Sequence, residues 1–360
     1  METHRLLKIL LGVILPSLFL LAFFFFYLLH YCYSRRVLIS SKDGDSSLEG
    51  GGGVGLPPEA EELIAFSGGE DLTLGDVLEA PGEVIGKSSY STVYRATLDR
   101  TSSAVLLRFV RPACIGRTAD VIPAVRVLGS IRHPNLVPLR ALYAGPRGEK
   151  LFVHPFYPAG NLAQFLKRDG VAESYKREVI HKLSLGIAKG LDHLHNALRK
   201  PIIHGNLKTN NIMLDGDLQP RLSDFGLHLI LSPAAGQEML EASAAQGYKP
   251  PELIKMKHAT KQSDIYNLGV VFLEIIMKNH NLLRARDHHR HSSPSFKDLI
   301  LEQKISEFAS RSKSFFGHGD EEGLLTFFQL AMACCSPSPD SRPDVNHVLT
   351  RLQEIGCNSS

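Results

Sequence analysis

Cysteine is scarce in this chain and badly placed for chemistry. Its 360 residues include five, Cys32, Cys114, Cys334, Cys335 and Cys357, with no C-x-x-C pair and no spacing that suits a metal. An odd, scattered set excludes a disulfide framework and fits free thiols in a reducing compartment. Cys334 and Cys335 are adjacent in an apolar run, where cysteine behaves as a small hydrophobe. Excess charge is missing too, since 40 basic and 37 acidic residues leave a formal +3. With no Lys/Arg stripe interleaved with aromatics, nucleic acid is excluded as a partner. No internal repeat of roughly 20–50 residues is present, so no solenoid ectodomain is expected.

What the chain does have is one long apolar run. Ile9 to Ser34 contains no Asp, Glu, Lys or Arg, and a bilayer core needs about 20 apolar residues in a helix. The run is longer than a signal-peptide core, and no A-x-A-like site closes it. It ends in Tyr31-Cys32-Tyr33-Ser34-Arg35-Arg36, an aromatic belt followed by a basic stop. Residues 9–34 are therefore expected to form a single transmembrane helix, with residues 1–8 outside and the remainder in the cytosol. Cys32, beside the membrane, is a candidate for palmitoylation. Residues 35–62 hold Ser, Asp, Gly50 to Gly53 and Leu56-Pro57-Pro58, a composition that reads as a disordered juxtamembrane tether.

From Leu63 the rhythm becomes that of a compact domain over residues 63–356. A hydrophobic content of 44% with 21% charged residues is enough for a real core. Short β-like runs (Gly82–Ile85, Thr92–Leu98, Ala104–Val110, Leu139–Tyr143, Leu151–Phe156) come first, interrupted by a helical stretch at Ala119–Ile131. Past Gly160 the pattern turns helical. Between Lys176 and Asn196, the residues Val179, Leu183, Ile187, Leu191 and Leu194 recur every three to four positions, which predicts one buried helix face. Strands first and helices after predict an α+β fold in two lobes, about 74–156 and 157–356.

The chemistry concentrates just past the crossover. Ile203-His204-Gly205-Asn206-Leu207-Lys208-Thr209-Asn210-Asn211-Ile212 is followed by Ser223-Asp224-Phe225-Gly226, an amide-bearing loop and a lone carboxylate about a dozen residues apart. The pattern resembles the catalytic loop, H-R-D-L-K-x-x-N, and the magnesium loop, D-F-G, of eukaryotic protein kinases. Six motifs fall in order from Leu74 to Leu352. Pro81 to Tyr90 and the segment from Gly236-Gln237-Glu238 to Glu252-Leu253-Ile254-Lys255 are especially similar to a plant group of transmembrane kinase-like proteins. That group belongs to the leucine-rich-repeat receptor-like kinases. The resemblance implies a two-lobed protein-kinase fold, with an antiparallel N-lobe sheet plus one helix and a mainly helical C-lobe.

Carried over residue by residue, the resemblance exposes losses. The glycine-rich loop reads Gly86-x-Ser88-x-x-Ser91-x-Val93; serines replace two glycines that let backbone N–H groups approach phosphate. Arg108 stands at the phosphate-binding lysine, with a planar fork in place of a compact ammonium; a solvated strand residue is the plainer reading. Ala124 stands at its glutamate partner, so the family's ion-pair clamp is absent. Leu106 replaces a small residue above the adenine, and with Val93 is expected to fill the nucleotide slot. Asn206 replaces the catalytic aspartate and is isosteric but unable to take a proton. Gly205 replaces the arginine that would meet a phosphorylated activation loop.

Other positions are retained. Lys208 matches the Ser/Thr-type pattern, and Asn211 and Asp224 match the two magnesium ligands, whose plainer role is to hold loops. His204, Phe225 and Leu128 match an apolar spine linking the lobes. Glu252 and Arg342 match a buried ion pair, and Asp264 matches the residue that holds the catalytic-loop backbone. Folding residues persist where chemistry residues are lost. The expectation is a membrane-anchored pseudokinase that docks active receptor-like kinases or downstream proteins, with no cofactor expected and ATP and Mg²⁺ at most weakly bound. A weak ATP-dependent Ser/Thr kinase and an ATP-binding non-catalytic switch are the alternatives. In the Leu227–Lys249 loop, Ser232, Ser243 and Tyr248 are candidate phosphoacceptors. Arg284 to His291 reads as a solvated loop, with a metal cluster as the alternative.

Overall fold

The computed structural model describes residues 61–168, 177–279 and 321–357. The expected transmembrane run, Cys32, most of the tether and the Arg284–His291 stretch lie outside the described residues. Among the described residues, no helix is long and apolar enough to cross a membrane.

The first lobe is a six-stranded antiparallel sheet in the order β1-β5-β6-β4-β3-β2. Its strands are β1 (Glu62–Ala65), β2 (Gly82–Lys87), β3 (Ser91–Leu98), β4 (Ser103–Val110), β5 (Ala141–Ala144) and β6 (Lys150–Pro155). The strands predicted from alternation are present, with no end moved by more than two residues. β1 differs from expectation: the tether was expected to run to residue 62, and the first lobe to begin near residue 74. Glu62–Ala65 instead pairs antiparallel with β5, and the Tyr143 hydroxyl donates to Glu61 across 2.8 Å. Four residues beginning with glutamate show too little alternation to reveal a strand that its neighbour's open edge creates.

Alternation along β4 sorts its side chains. Val105 and Leu107 are buried in a small cluster with Ala96, Leu98 and Val153. Leu106 and Arg108 turn to the opposite face. There the register sets Arg108 across from Val93 and Phe152, and Leu106 across from Arg95 and His154; directly opposed residues share a face. A short helix, α1 (Leu74–Leu78), is closed by a Thr73–Asp76 capping box. The longer α2 (Thr118–Ser130) buries Val121, Val125 and Leu128.

The second lobe is helical. Its elements are α3 (Leu162–Lys167), α4 (Arg177–Asp192), α5 (Pro233–Ala244), α6 (Lys261–Asn279), α7 (Glu321–Cys334) and α8 (Val345–Cys357), with a small hairpin of β7 (Ile212–Leu214) and β8 (Pro220–Leu222). Asn161 caps α3 through a box with Gln164, worth about 1 kcal/mol. On α4, Leu183, Ile187 and Leu191 are buried, as is Leu194 just beyond it, each contributing roughly 1.5–3 kcal/mol. Val179 is only partly covered, and its neighbour Ile180 faces inward. One continuous core runs from α2 of the first lobe through Phe225 to α4, α6 and α8, so the catalytic-loop region is braced from both sides.

Candidate functional site

The loop between α4 and β7 is held by a single buried carboxylate. Asp264, at the start of α6, accepts from the backbone N–H of His204 (2.7 Å) and Gly205 (2.9 Å) and from His195 Nε2 (2.9 Å). Burial works to raise this carboxyl, but the hydrogen bond and charge of His195, with the other donors, bring it below its ordinary value. The turn they impose is tight. Gly205 has φ +73°, and a Cβ there would lie 2.5 Å from His228 Nδ1 and 2.8 Å from Met256 Cε. Only glycine tolerates both the left-handed backbone and that crowding. The space that an arginine side chain would leave toward is filled by His228.

Asn206 follows, 3% exposed. Its backbone N–H donates to His204 Nδ1 (3.3 Å), and its carbonyl accepts from Asn211 Nδ2 (2.8 Å). Its side-chain Oδ1 accepts from the hydroxyl of Ser243 at 3.1 Å. Lys208 Nζ reaches the same hydroxyl at 3.5 Å; burial lowers the Lys208 ammonium, against the raising charge of Asp224. Asn211 thus uses its amide nitrogen to brace the loop, the plainer of the two roles open to it.

Ser243 belongs to α5, which the sequence reading treated as part of a loop. The signal for a helix was present: Ser232 accepts from Ala235 N as N-cap, Pro233 occupies the first turn, and a run rich in Ala, Glu, Met and Leu follows, all good helix formers. The helix changes the fate of the candidate phosphoacceptors. Ser243 is buried, as is Tyr248, whose hydroxyl meets Thr209 Oγ1 at 3.4 Å. These two are structural ties in this arrangement, and Ser232 is a helix cap.

Across the cleft, the magnesium-loop position is engaged. Arg108 Nη2 donates to both oxygens of Asp224, at 2.6 and 2.8 Å, while Nη1 donates to Ser91 Oγ at 3.2 Å. The two side chains are 12% and 10% exposed, which removes the reading of Arg108 as a solvated strand residue. Both carboxylate oxygens are therefore occupied by a cation, and a divalent ion would have to displace the guanidinium. Ala124 offers Arg108 no carboxylate on α2.

The loop over the cleft is closed on itself. Ser88 N donates to Ser91 O (2.8 Å), Ser91 N donates to Ser88 Oγ (3.0 Å), and the two hydroxyls lie 3.1 Å apart. Arg111 holds the carbonyls of Ser88 and Ser89 from outside. Gly86 is not forced by space, since a Cβ there would meet its nearest atom at 3.8 Å. Leu106 and Val93 both keep part of their surface open. The residue the sequence reading missed is Tyr90, at the loop tip yet 7% exposed; burial, and then the charge of Asp224, raise its phenol.

The remaining predicted residues are brought together as a frame. The rings of His204 and Phe225 meet edge-on with centroids 6.4 Å apart, and Leu128 Cδ2 would lie 2.6 Å from a Cβ on Gly226. Burial lowers the His204 imidazole to about 4, so it sits neutral. Arg342 donates to both oxygens of Glu252 (2.6 and 2.7 Å) and to the carbonyls of Gln262 and Ser336. Arg342 is fully covered, but the Glu252 side chain is 30% exposed, so this expected buried pair is buried on one side only. Among the described residues, no cluster of His, Cys, Asp or Glu could hold a metal.

The protein kinase domain family model matches residues 80–352. The kinase-like protein TMKL1 of Arabidopsis thaliana is 40% identical over 299 residues, covering 81% of this chain and 44% of that protein. A second Arabidopsis relative, named as a probable inactive receptor kinase (At3g08680), is 31% identical over 82% of this chain and 46% of its own length. The chain thus spans under half the length of these relatives. Among solved structures, the maize SIRK1 kinase domain bound to AMP-PNP is similar, with a TM-score of 0.68 and 26% identity over 82% of this chain and all of that one. The pseudokinase domain of BIR2, an immune regulator, is similar with a TM-score of 0.64 and 25% identity, over 83% of this chain and 91% of that one.

Proposed function

The chain belongs to the protein kinase domain family, and we propose that within it this protein is a membrane-tethered pseudokinase, a signalling scaffold or regulator of receptor kinases without efficient phosphotransfer. The observation that carries the reading is Asn206. It stands at the catalytic-aspartate position as a neutral amide whose oxygen already accepts a hydroxyl from Ser243 of the same chain. An amide cannot take a substrate proton, and losing a general base costs about 10²–10⁴ in rate, roughly 3–5 kcal/mol of barrier. Relatives named as inactive receptor kinases and a pseudokinase of the same fold support this reading. So does the split between an intact frame (Asp264, Arg342, Phe225) and an altered reaction centre.

The scaffold acts by shape. A domain braced by one core offers fixed surfaces, and tethering at a membrane raises the effective concentration of its encounters with an active receptor-like kinase. Its site in the cell is accordingly a membrane, with the kinase-like domain in the cytosol. A weak Ser/Thr kinase is the second reading, favoured by the retention of Asn211 and Asp224, because phosphoryl transfer is largely positioning and electrostatics.

Thermal-shift titration of the full chain with Mg²⁺ and ATP, paired with a radiolabelled autophosphorylation assay, tests the proposal. A ligand at 100 times its Kd stabilises by about 2.7 kcal/mol. The expected result is no shift and no incorporated phosphate. Phosphate incorporation that disappears in Asp224→Ala would establish the enzyme instead.

A further inference from the structure

We propose that Arg108 is a resident clamp between the lobes, standing in place of the metal and nucleotide phosphate that would join the corresponding elements in an active member of the family. The inference rests on reading Asp224 as the former metal position and goes on to assign what now occupies it.

Three segments meet at one guanidinium. Arg108 lies on β4, Ser91 opens β3 at the end of the loop over the cleft, and Asp224 belongs to the loop after β8. Nη1 reaches Ser91 Oγ at 3.2 Å, and Nη2 reaches both Asp224 oxygens at 2.6 and 2.8 Å. Residues 116 positions apart are thereby joined by a charge-assisted contact that is largely shielded from water. Such contacts are shorter and about twice as strong as neutral hydrogen bonds. Lysine could not reproduce it, because a single ammonium point cannot bridge Ser91 and Asp224 with separate, fixed nitrogens.

The surroundings fit a clamp better than a ligand site. The N–H groups of Ser88 and Ser91 are bonded within the loop. Tyr90 is folded under the loop tip. With Ala124 in place of a glutamate, Asp224 is the acidic group to which Arg108 is bonded. Arg108 Nε is buried without a partner, so the guanidinium's hydrogen bonds are those that its two Nη atoms make to Ser91 and Asp224. In this arrangement nucleotide is unnecessary for holding the loop, the sheet and the Asp224 segment together.

The consequence separates a clamp from an empty metal site. A metal-binding carboxylate awaiting its ion is a cost to the free protein, so neutralising it leaves stability unchanged or raises it. A carboxylate that clamps a buried guanidinium leaves that charge unpaired when it is removed.

The test measures the melting temperature of the full chain without nucleotide for Asp224→Asn and the double variant Arg108→Met/Asp224→Asn, asparagine being kept at 224 because the backbone there is left-handed, φ +64°. The expected result is a fall of roughly 5 °C or more for Asp224→Asn, with most of the loss recovered in the double variant because neither charge remains. If Asp224→Asn does not fold, near-natural melting of the double variant still supports the clamp, and failure of the double variant to recover overturns it. An unchanged or raised melting temperature in Asp224→Asn overturns the clamp while leaving the pseudokinase reading intact. Stabilisation of the natural chain by Mg²⁺ and ATP that is lost in Asp224→Asn overturns the clamp alone, whereas phosphate incorporation that is lost with it overturns the pseudokinase reading as well.

Discussion

Ser243 Oγ donates to Asn206 Oδ1 across 3.1 Å, so a hydroxyl of α5 rests on the amide that occupies the proton-acceptor position. Putting the acid back at that position therefore does not rebuild a site. Asn206→Asp is expected to incorporate no more labelled phosphate than the natural chain, because Asp224 stays bound to Arg108 and Ser243 still covers the residue. Ser243→Ala has a different expected effect. Loss of one buried hydrogen bond costs about 1 kcal/mol, and hydrogen exchange across Pro233–Ala244 is expected to quicken roughly five-fold if that helix opens locally.

Gly205→Arg restores the residue that active kinases carry and is expected to do harm. The backbone there has φ +73°, and the new Cβ would meet His228 Nδ1 at 2.5 Å. Left-handed strain of about 1–2 kcal/mol adds to displacement of His228. A loss of about 2–4 kcal/mol in denaturant unfolding is expected, and a neutral result would mean the loop is more adaptable than its Asp264 anchor suggests.

Arg342→Ala tests the frame. The guanidinium is fully covered and serves Glu252, Gln262 and Ser336 at once. Burial works to raise Glu252, and the Arg342 hydrogen bonds bring it below its ordinary value. Truncation is expected to cost about 3–5 kcal/mol in chemical denaturation, with Arg342→Lys recovering only part. A cost under about 1 kcal/mol would show that water replaces the arginine easily.

Acid should weaken the fold through His204. Its imidazole is buried and lowered to about 4, whereas the unfolded chain binds a proton near pH 6.5. Between those values the unfolded state holds more protons, so stability falls as pH drops from about 6.5 toward 4, with a slope near 1.4 kcal/mol per unit from this group. Melting temperatures measured from pH 7.5 to 5 should decline, and His204→Phe should decline less steeply. Equal slopes would assign the dependence to other groups.

Several of these relationships were legible in part before any fold was known. The strand-then-helix order followed from period-two and period-3.6 patterning, and the α4 face was readable from Leu183, Ile187 and Leu191. Asn206, Ala124 and Gly205 announced themselves because each departs from a dense local pattern. The helix over Pro233–Ala244 was readable from Ser232-Pro233 and was missed, since its place in the chain suggested a loop. Tyr90 was missed because a loop-tip aromatic looks exposed until the loop folds over it.

The order of the elements and the two-lobed class were set by local composition and patterning, which act within a few residues along the chain, and each altered position was visible against the kinase motifs that the sequence resembles. The partners of Arg108, Ser243 and His228 were decided only in three dimensions. These contacts join positions 17 to 116 residues apart. Whether a charged or polar group meets water, a neighbour or nothing depends on which distant backbone the core brings beside it.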